Sequence, residues 1–294
     1  MPELPDVTVY IERLEARLAG QSLKRIKLLN PFVLRSVNPP IASAEGRKLV
    51  GLRRLGKRIV FELEAGLFLV LHLMIAGRLR WLAKDKKPPG RLALAAFEFD
   101  DATLLLTEAG TKRRASIHLV EGEAALAAMD PGGIDVFEAT SAEFAERLKR
   151  DNHTVKRALT DPHLFSGIGN AYSDEILHRA RLSPFAQTSS LSEEDVQRLY
   201  DATRSILIEW TERLRKQAGA DLPEKVTAFR EEMAVHGRYR KPCPVCGSPV
   251  QRIVYAENET NYCARCQTGG RILADRALSR LLKSSWPRSI DDLE

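Results

Sequence analysis

The spacing of apolar residues changes character along the chain. In the first twenty residues Val7, Ile11, Leu14 and Leu18 recur every three or four positions, which places them on one face of a helix. Asp6 stands where such a helix wants a cap and Gly20 where it should stop. From about residue 22 to about 120 the texture turns to short runs rich in Val, Ile, Leu and Phe. Arg58–Leu63, Leu67–Leu73, Arg78–Leu82, Leu92–Phe99 and Thr103–Thr107 are divided by Ala-Gly, Pro-Pro-Gly and Asp-Asp breaks, a spacing that predicts an all-β sandwich or barrel-like domain. Between about 121 and about 235 the period becomes helical. The candidates are Ala124–Met129, Ala142–Lys149, Thr154–Leu159, Ala171–Ala180, a long helix over Ser192–Lys216, and Glu224–Val235. Near the end, Leu273, Ala277, Leu281 and Leu282 predict one amphipathic helix.

Length and composition narrow the class. The 294 residues allow two domains and a small module, and 44% hydrophobic with 29% charged residues argues against wholesale disorder. The longest apolar runs, Leu67–Leu71 and Leu92–Phe97, fall far short of the roughly 18 residues that span a bilayer. Glu3 and Asp6 leave no apolar core for a secretory signal. Lys and Arg total 45 against 39 Asp and Glu, a net charge of +6. The excess is clustered. Arg47, Lys48, Arg53, Arg54, Lys57 and Arg58 form one group, Lys112, Arg113 and Arg114 a second, and Arg238, Arg240 and Lys241 a third, which suits a polyanionic partner.

Three motifs carry chemistry. All four cysteines fall in Cys243-Pro-Val-Cys246 and Cys263-Ala-Arg-Cys266, spaced C-x2-C-x16-C-x2-C. Two such knuckles complete a closed four-sulfur shell around one zinc ion, a structural rather than a catalytic metal, in an intracellular protein. Gly167-Ile168-Gly169-Asn170 is a tight turn that opens a helix, whose free N–H groups favour a phosphate; alone it also reads as an ordinary interhelical turn. Met1-Pro2-Glu3-Leu4-Pro5 has a small second residue, so loss of Met1 is expected to leave a secondary amine on Pro2. An α-amino group titrates near 8, is substantially neutral at physiological pH, and can form a Schiff base with a sugar aldehyde, with Glu3 beside it as acid or base. Alone, that segment reads as a frayed terminus.

Together these features resemble the formamidopyrimidine-DNA glycosylase and endonuclease VIII family. Pro2 to Val7 resembles its N-terminal signature, with Asp6 where Glu is more usual, and Leu55-Gly56-Lys57-Arg58 its lysine-bearing strand. His72-Leu73 begins a segment similar to its His-Leu-x-Met. Gly167–Glu175 with Leu182-Ser183-Pro184 resembles its helix–two-turn–helix, and His236 through Gln267 its zinc finger. The resemblance implies an α+β multidomain protein with an N-terminal β-sandwich carrying an N-terminal helix (1–130), a helical helix–two-turn–helix domain (131–235), a zinc ribbon (236–267) and a C-terminal extension read as one helix (268–294). It implies a base-excision repair glycosylase that removes damaged, oxidised bases and cuts the abasic strand by β-elimination. The partner is double-stranded DNA with damaged bases or abasic sites; the enzyme is expected to be a monomer at the nucleoid of a bacterial cytoplasm, with no membrane. Pro2 would attack C1′, Glu3 would protonate the opened sugar, and Lys57 would hold a phosphate and donate a proton. Glu175 would support the site, while His72, Ile75, Arg113, Lys156, Asn170 and Asn258 take up DNA-contacting positions.

The departures bear on lesion choice. Ile75 occupies the place of the methionine that fills the gap left by a flipped base, and Glu108 to Ser116 has no Phe wedge, leaving Arg113 or Arg114 for the opposite strand. Asn258 stands where the family carries the hairpin arginine that donates a proton in δ-elimination. Gly219–Arg230 lacks the glycine-rich stretch that covers an oxidised purine. Two other readings fit parts of the sequence: a non-catalytic damaged-DNA-binding protein of the same fold, and a zinc-ribbon RNA-binding protein, which accounts for the cysteines but not for Pro2.

Overall fold

A computed structural model describes residues 1–83, 86–109, 112–223, 230–255, 258–283 and 286–293. The chain divides into two units, Met1–Pro131 with Trp210–Thr227, and Gly132–Glu209 with Ala228–Glu294.

The first unit begins with helix α1 (Leu4–Leu18), whose Val7, Tyr10, Leu14 and Leu18 are buried as the spacing predicts. Its cap lies three residues earlier than expected. Glu3 holds the cap position, and Asp6, inside the first turn, accepts the Glu3 backbone N–H at 3.0 Å. Strands follow as β1 (Ser22–Leu23), β2 (Arg25–Leu28), β3 (Arg47–Leu55), β4 (Arg58–Leu63), β5 (Leu67–His72), β6 (Gly77–Leu82), β7 (Ala93–Glu98), β8 (Thr103–Glu108) and β9 (Ser116–Glu121). They form two antiparallel sheets in the orders β1-β3-β4-β5-β9 and β2-β7-β8-β6. Ile59, Phe61, Leu69, Leu71 and Ile117 of one sheet share a core with Phe97, Leu104 and Leu106 of the other and with α1, so the unit is a sandwich.

The uninterrupted apolar run of β5 has a physical cause. Leu67, Leu69 and Leu71 enter the central core, while Phe68 and Val70 pack on the opposite face with Val60 and with Leu126 of α2 (Glu123–Ala127). Both faces are covered, which removes the alternation expected of a half-exposed strand. The returning segment is tied to α1: Tyr10 donates its hydroxyl to Pro223 O at 3.2 Å, and Arg215 pairs with Glu12.

The β5–β6 turn is closed by Gly77 N–H donating to Leu73 O at 2.9 Å, with Met74 at φ +52°. A Cβ on Gly77 would sit 2.2 Å from that same oxygen, a backbone atom that cannot step aside. Gly77→Ala should therefore cost about 3 kcal/mol or more. In thermal unfolding that is a fall in Tm of roughly 6–12 °C.

The second unit contains α3 (Ser141–Lys149), α4 (Val155–Thr160), α5 (Asn170–Arg179) and the part of α6 (Glu193–Ala218) up to Glu209. Thr140 caps α3 and Thr154 caps α4, each accepting a backbone N–H in the first turn. Phe144 lies 4.7 Å from Phe165 and edge-on to Tyr200, which joins α3, the α4–α5 connection and α6. Of the helix expected over Glu224–Val235, residues 224–229 lie outside the described residues and 230–235 are turns and coil.

The cysteine module is the hairpin β10 (Gln251–Tyr255) and β11 (Asn258–Tyr262) followed by α7 (Ala264–Thr268). The tail forms α8 (Arg276–Leu282), but Leu281 and Leu282, expected on its apolar face, are exposed, Leu281 by 77%. Leu273 lies before that helix. It joins Ile272, Ile290 and Trp286 against Ile253 and Tyr262, so the tail completes a small core beneath the hairpin. Ile272 N–H to Arg288 O and Ile290 N–H to Gly270 O, both 2.8 Å, hold the return.

Candidate functional site

In the first unit Pro2 and Glu3 are buried at the start of α1, Glu3 only 2% exposed, with Val7 N–H bonded to Glu3 O at 2.9 Å. The terminal amine, carried by Met1 in the full chain, is held below its ordinary value of 8.0 chiefly by burial. Glu3 and Asp6 oppose that effect, and the Arg78 and Lys57 cations reinforce it. The amine, Glu3 and Lys57 are thus near enough to interact electrostatically. Lys57 itself lies in the β3–β4 turn rather than on a strand: Gly56, at φ +61°, reverses the chain so that Leu55 pairs with Arg58. The turn places the lysine beyond the sheet edge instead of in its ladder.

His72 ends β5, paired across the sheet with Arg58 and Ser116. Burial, with Arg58, Lys57 and His118 adding repulsion, pushes its pKa down to about 4, so the ring is neutral at physiological pH. Its Nε2 is buried with no hydrogen-bond partner among the described residues. Ile75 sits in the β5–β6 turn, 55% exposed. The Arg113 guanidinium donates to Arg91 O. Sequence reasoning missed Glu108. Its buried carboxylate accepts the backbone N–H of Arg114 and of Ala115, each at 3.0 Å, and so anchors the segment entering β9.

In the second unit the glycine turn opens α5 as predicted, with Gly167 at φ +84° and Gly169 at the cap. Asn170 donates Nδ2 to Glu259 O of β11 at 2.8 Å. Lys156 points inward. Its Nζ donates to Asn170 O at 2.7 Å and to Asp174 Oδ1 at 2.6 Å, so it orients the turn rather than standing out toward a phosphate. Asp174, which lies in the Gly167–Glu175 motif but was given no role, also contacts His236 Nδ1 at 2.7 Å and accepts Asn261 N–H at 3.1 Å. Glu175 was expected in the catalytic set, yet its carboxylate accepts the N–H groups of Ala234, Val235 and His236 at 2.7–2.9 Å, clamping the chain that enters the cysteine module. Burial raises its pKa against those three bonds. Asn258 opens β11 opposite Tyr255; its side chain lies outside the described residues.

The Lys156–Asp174 pair is almost fully buried, so removing one partner strands a charge. Asp174→Leu should cost about 3–5 kcal/mol in urea unfolding. Lys156→Met combined with Asp174→Leu should cost less than Asp174→Leu alone, and additive losses would refute the pairing.

Cys243, Cys246, Cys263 and Cys266 bring four sulfurs within 4.8 Å of one another, with Cys243–Cys266 at 3.9 Å and Cys246–Cys263 at 3.3 Å. Tetrahedral zinc with bonds of about 2.3 Å needs sulfurs about 3.8 Å apart, so the cluster fits one zinc ion. No helix among the described residues is long and apolar enough to cross a membrane.

Three family models match in order: the formamidopyrimidine-DNA glycosylase N-terminal domain over residues 1–115, its H2TH domain over 130–218, and the zinc finger found in FPG and IleRS over 240–269. A formamidopyrimidine-DNA glycosylase of Thermus thermophilus is 36% identical over 284 residues, covering 92% of this chain and 100% of that protein. The crystal structure of the MutM (Fpg) protein from Thermus thermophilus matches with a TM-score of 0.76 at 32% identity, over 90% of this chain and 98% of that one. The Lactococcus lactis Fpg in complex with abasic-site DNA matches with a TM-score of 0.80 at 25% identity, over 90% and 99%.

Proposed function

The chain belongs to the formamidopyrimidine-DNA glycosylase family, and from that premise we propose that it excises damaged bases from duplex DNA and cleaves the resulting abasic strand. It is a base-excision repair glycosylase and lyase with one structural zinc, and its substrate places it at the nucleoid in the cytoplasm. The observation that carries the catalytic assignment is the buried terminal amine with Glu3 and Lys57 in electrostatic reach.

The chemistry follows from those groups. Once Met1 is removed, the free Pro2 nitrogen attacks C1′ of a flipped nucleotide, the bond to the base breaks, and the base departs with a proton. Glu3 protonates the ring oxygen as the sugar opens to an iminium ion. That cation acidifies the C2′ hydrogen. Its loss expels the 3′ phosphate, and water then releases the amine. Lys57 neutralises a phosphate and supplies a proton to the departing oxygen. Asn170 and the start of α5 take a backbone phosphate, with Lys156, Asp174 and Glu175 positioning them. His72, Ile75 and Arg113 lie on the β5–β6 and β8–β9 side of the first unit, where they serve as DNA contacts.

Incubation with duplexes that each carry one defined lesion, or one abasic site, should give strand cleavage at that position. Tight binding to the same duplexes without cleavage would instead support a non-catalytic damaged-DNA-binding protein.

A further inference from the structure

The last turn of helix α5 carries a side chain that no motif marks. His178, two turns after Asn170, is 7% exposed, and its Nε2 lies 3.3 Å from Sγ of Cys243, itself 2% exposed. His178 does not belong to the group of side chains that could share one ion, which is the four cysteines alone among the described residues. The sulfur lies in an apolar cluster with Val235, Val250 and Cys263. Four thiolates around a dication leave an excess of negative charge there, and in a dry environment an N–H aimed at one sulfur stabilises it strongly.

We propose that His178 is an outer-shell partner of the zinc site. With its proton on Nε2, the imidazole donates to the Cys243 thiolate, fixes the orientation of that ligand and raises the affinity for metal. The same bond seats the C-terminal turn of α5 on the metal module, while Asn170 bonds the module at the other end of the helix. The inference rests on the cysteine cluster and holds whether or not the chain is a glycosylase.

The test is zinc affinity, measured on the full chain by competition with a chromogenic chelator. His178→Phe fills the space but removes the donor and should weaken zinc binding about 10–100-fold. His178→Gln keeps an N–H and should stay within about threefold of the wild type. X-ray absorption of the wild-type zinc protein should show four sulfur ligands and no nitrogen. A His178→Phe affinity within about threefold of the wild type would overturn the proposal, as would an imidazole in the first shell. A further measurement does not depend on how the variants fold. Wild-type protein loaded with cadmium-113 should show scalar coupling between the metal and the His178 ring N–H, and its absence would also overturn the assignment.

Discussion

Borohydride added during reaction with an abasic-site duplex should trap a protein–DNA cross-link, and peptide mapping should place it on residue 2. The reductant captures the iminium that a nitrogen nucleophile forms with C1′, so the adduct reports the identity of that nitrogen directly. Pro2 is buried at the start of α1 and precedes Glu3, whose backbone is pinned by Asp6, so a nitrogen at this position has a fixed origin. Pro2→Leu should retain Met1 and displace the amine by one residue. Losing a positioned covalent nucleophile costs up to about 10⁶ in rate in well-measured hydrolases, and at least a loss of about 10³ is expected here. Glu3→Gln should lose about 10²–10⁴ while still binding DNA. The pH dependence has a definite sign. The reactive form is the unprotonated amine, so trapping should rise with pH to a plateau; burial and the Arg78 and Lys57 charges, which lower the terminal amine carried by Met1, press the midpoint of that rise downward. Arg78→Ala removes one repulsive charge and should move that midpoint upward. An adduct mapped to Lys57, or Pro2→Leu trapping at the wild-type rate, would refute the assignment.

The reach of sequence reasoning followed the range of the interactions involved. The α1 face, the glycine turn before Asn170 and the four cysteines are patterns of a few residues at fixed spacing, and each corresponds to a local geometric need. What stayed hidden depends on contacts between distant positions. Asp174 draws Lys156 from 18 residues away, His236 from 62 and Asn261 from 87, and no period within a helix encodes that. Glu108 looked like part of a wedge loop because its carboxylate bonds backbone six and seven residues on, where only coordinates reveal a partner. Strand β3 went unnamed for a different reason. Of its nine residues only Leu49 is fully buried, and its basic side chains obscure any alternation. The tail was read as a lone helix because Ile272, Leu273 and Ile290 act through the hairpin they cover and not through their own spacing.

The burial pattern also shows how the charged side chains of the second unit's motifs are engaged. Lys156 and Glu175 carry charges, yet each is engaged by groups of its own unit. Their loss should act through the placement of Asn170 and of residues 234–236. A charged side chain in a motif therefore indicates a requirement for charge at that place, and its hydrogen-bond partners decide whether the requirement is catalytic or structural.

The cleavage product offers the sharpest test of a departure from the family. β-Elimination alone leaves an unsaturated aldehyde on the 3′ end, whereas a second elimination leaves phosphates on both sides of a one-nucleotide gap. The second step needs a proton donor near the departing sugar, and the resemblance puts Asn258 where the family uses an arginine. An amide is neutral and a weak donor, so it neither offsets charge on the leaving oxygen nor protonates it readily. Losing one such donor costs about 10²–10³ in rate. Two arginines of the module are engaged: Arg265 pairs with Asp291 at 2.7 Å, and Arg252 pairs with Glu259 at 3.3 Å while lying over the Tyr239 ring, so of Arg265 and Arg271, the two alternative donors, Arg271 is the one left to take the role. The β-product should therefore dominate denaturing gels of end-labelled abasic DNA, with δ-product accumulating slowly. Asn258→Arg, at the start of β11, should raise the δ rate by a large part of that factor. Mostly δ-product at the earliest times in the wild type, unchanged by Asn258→Arg, would mean that another group donates the proton.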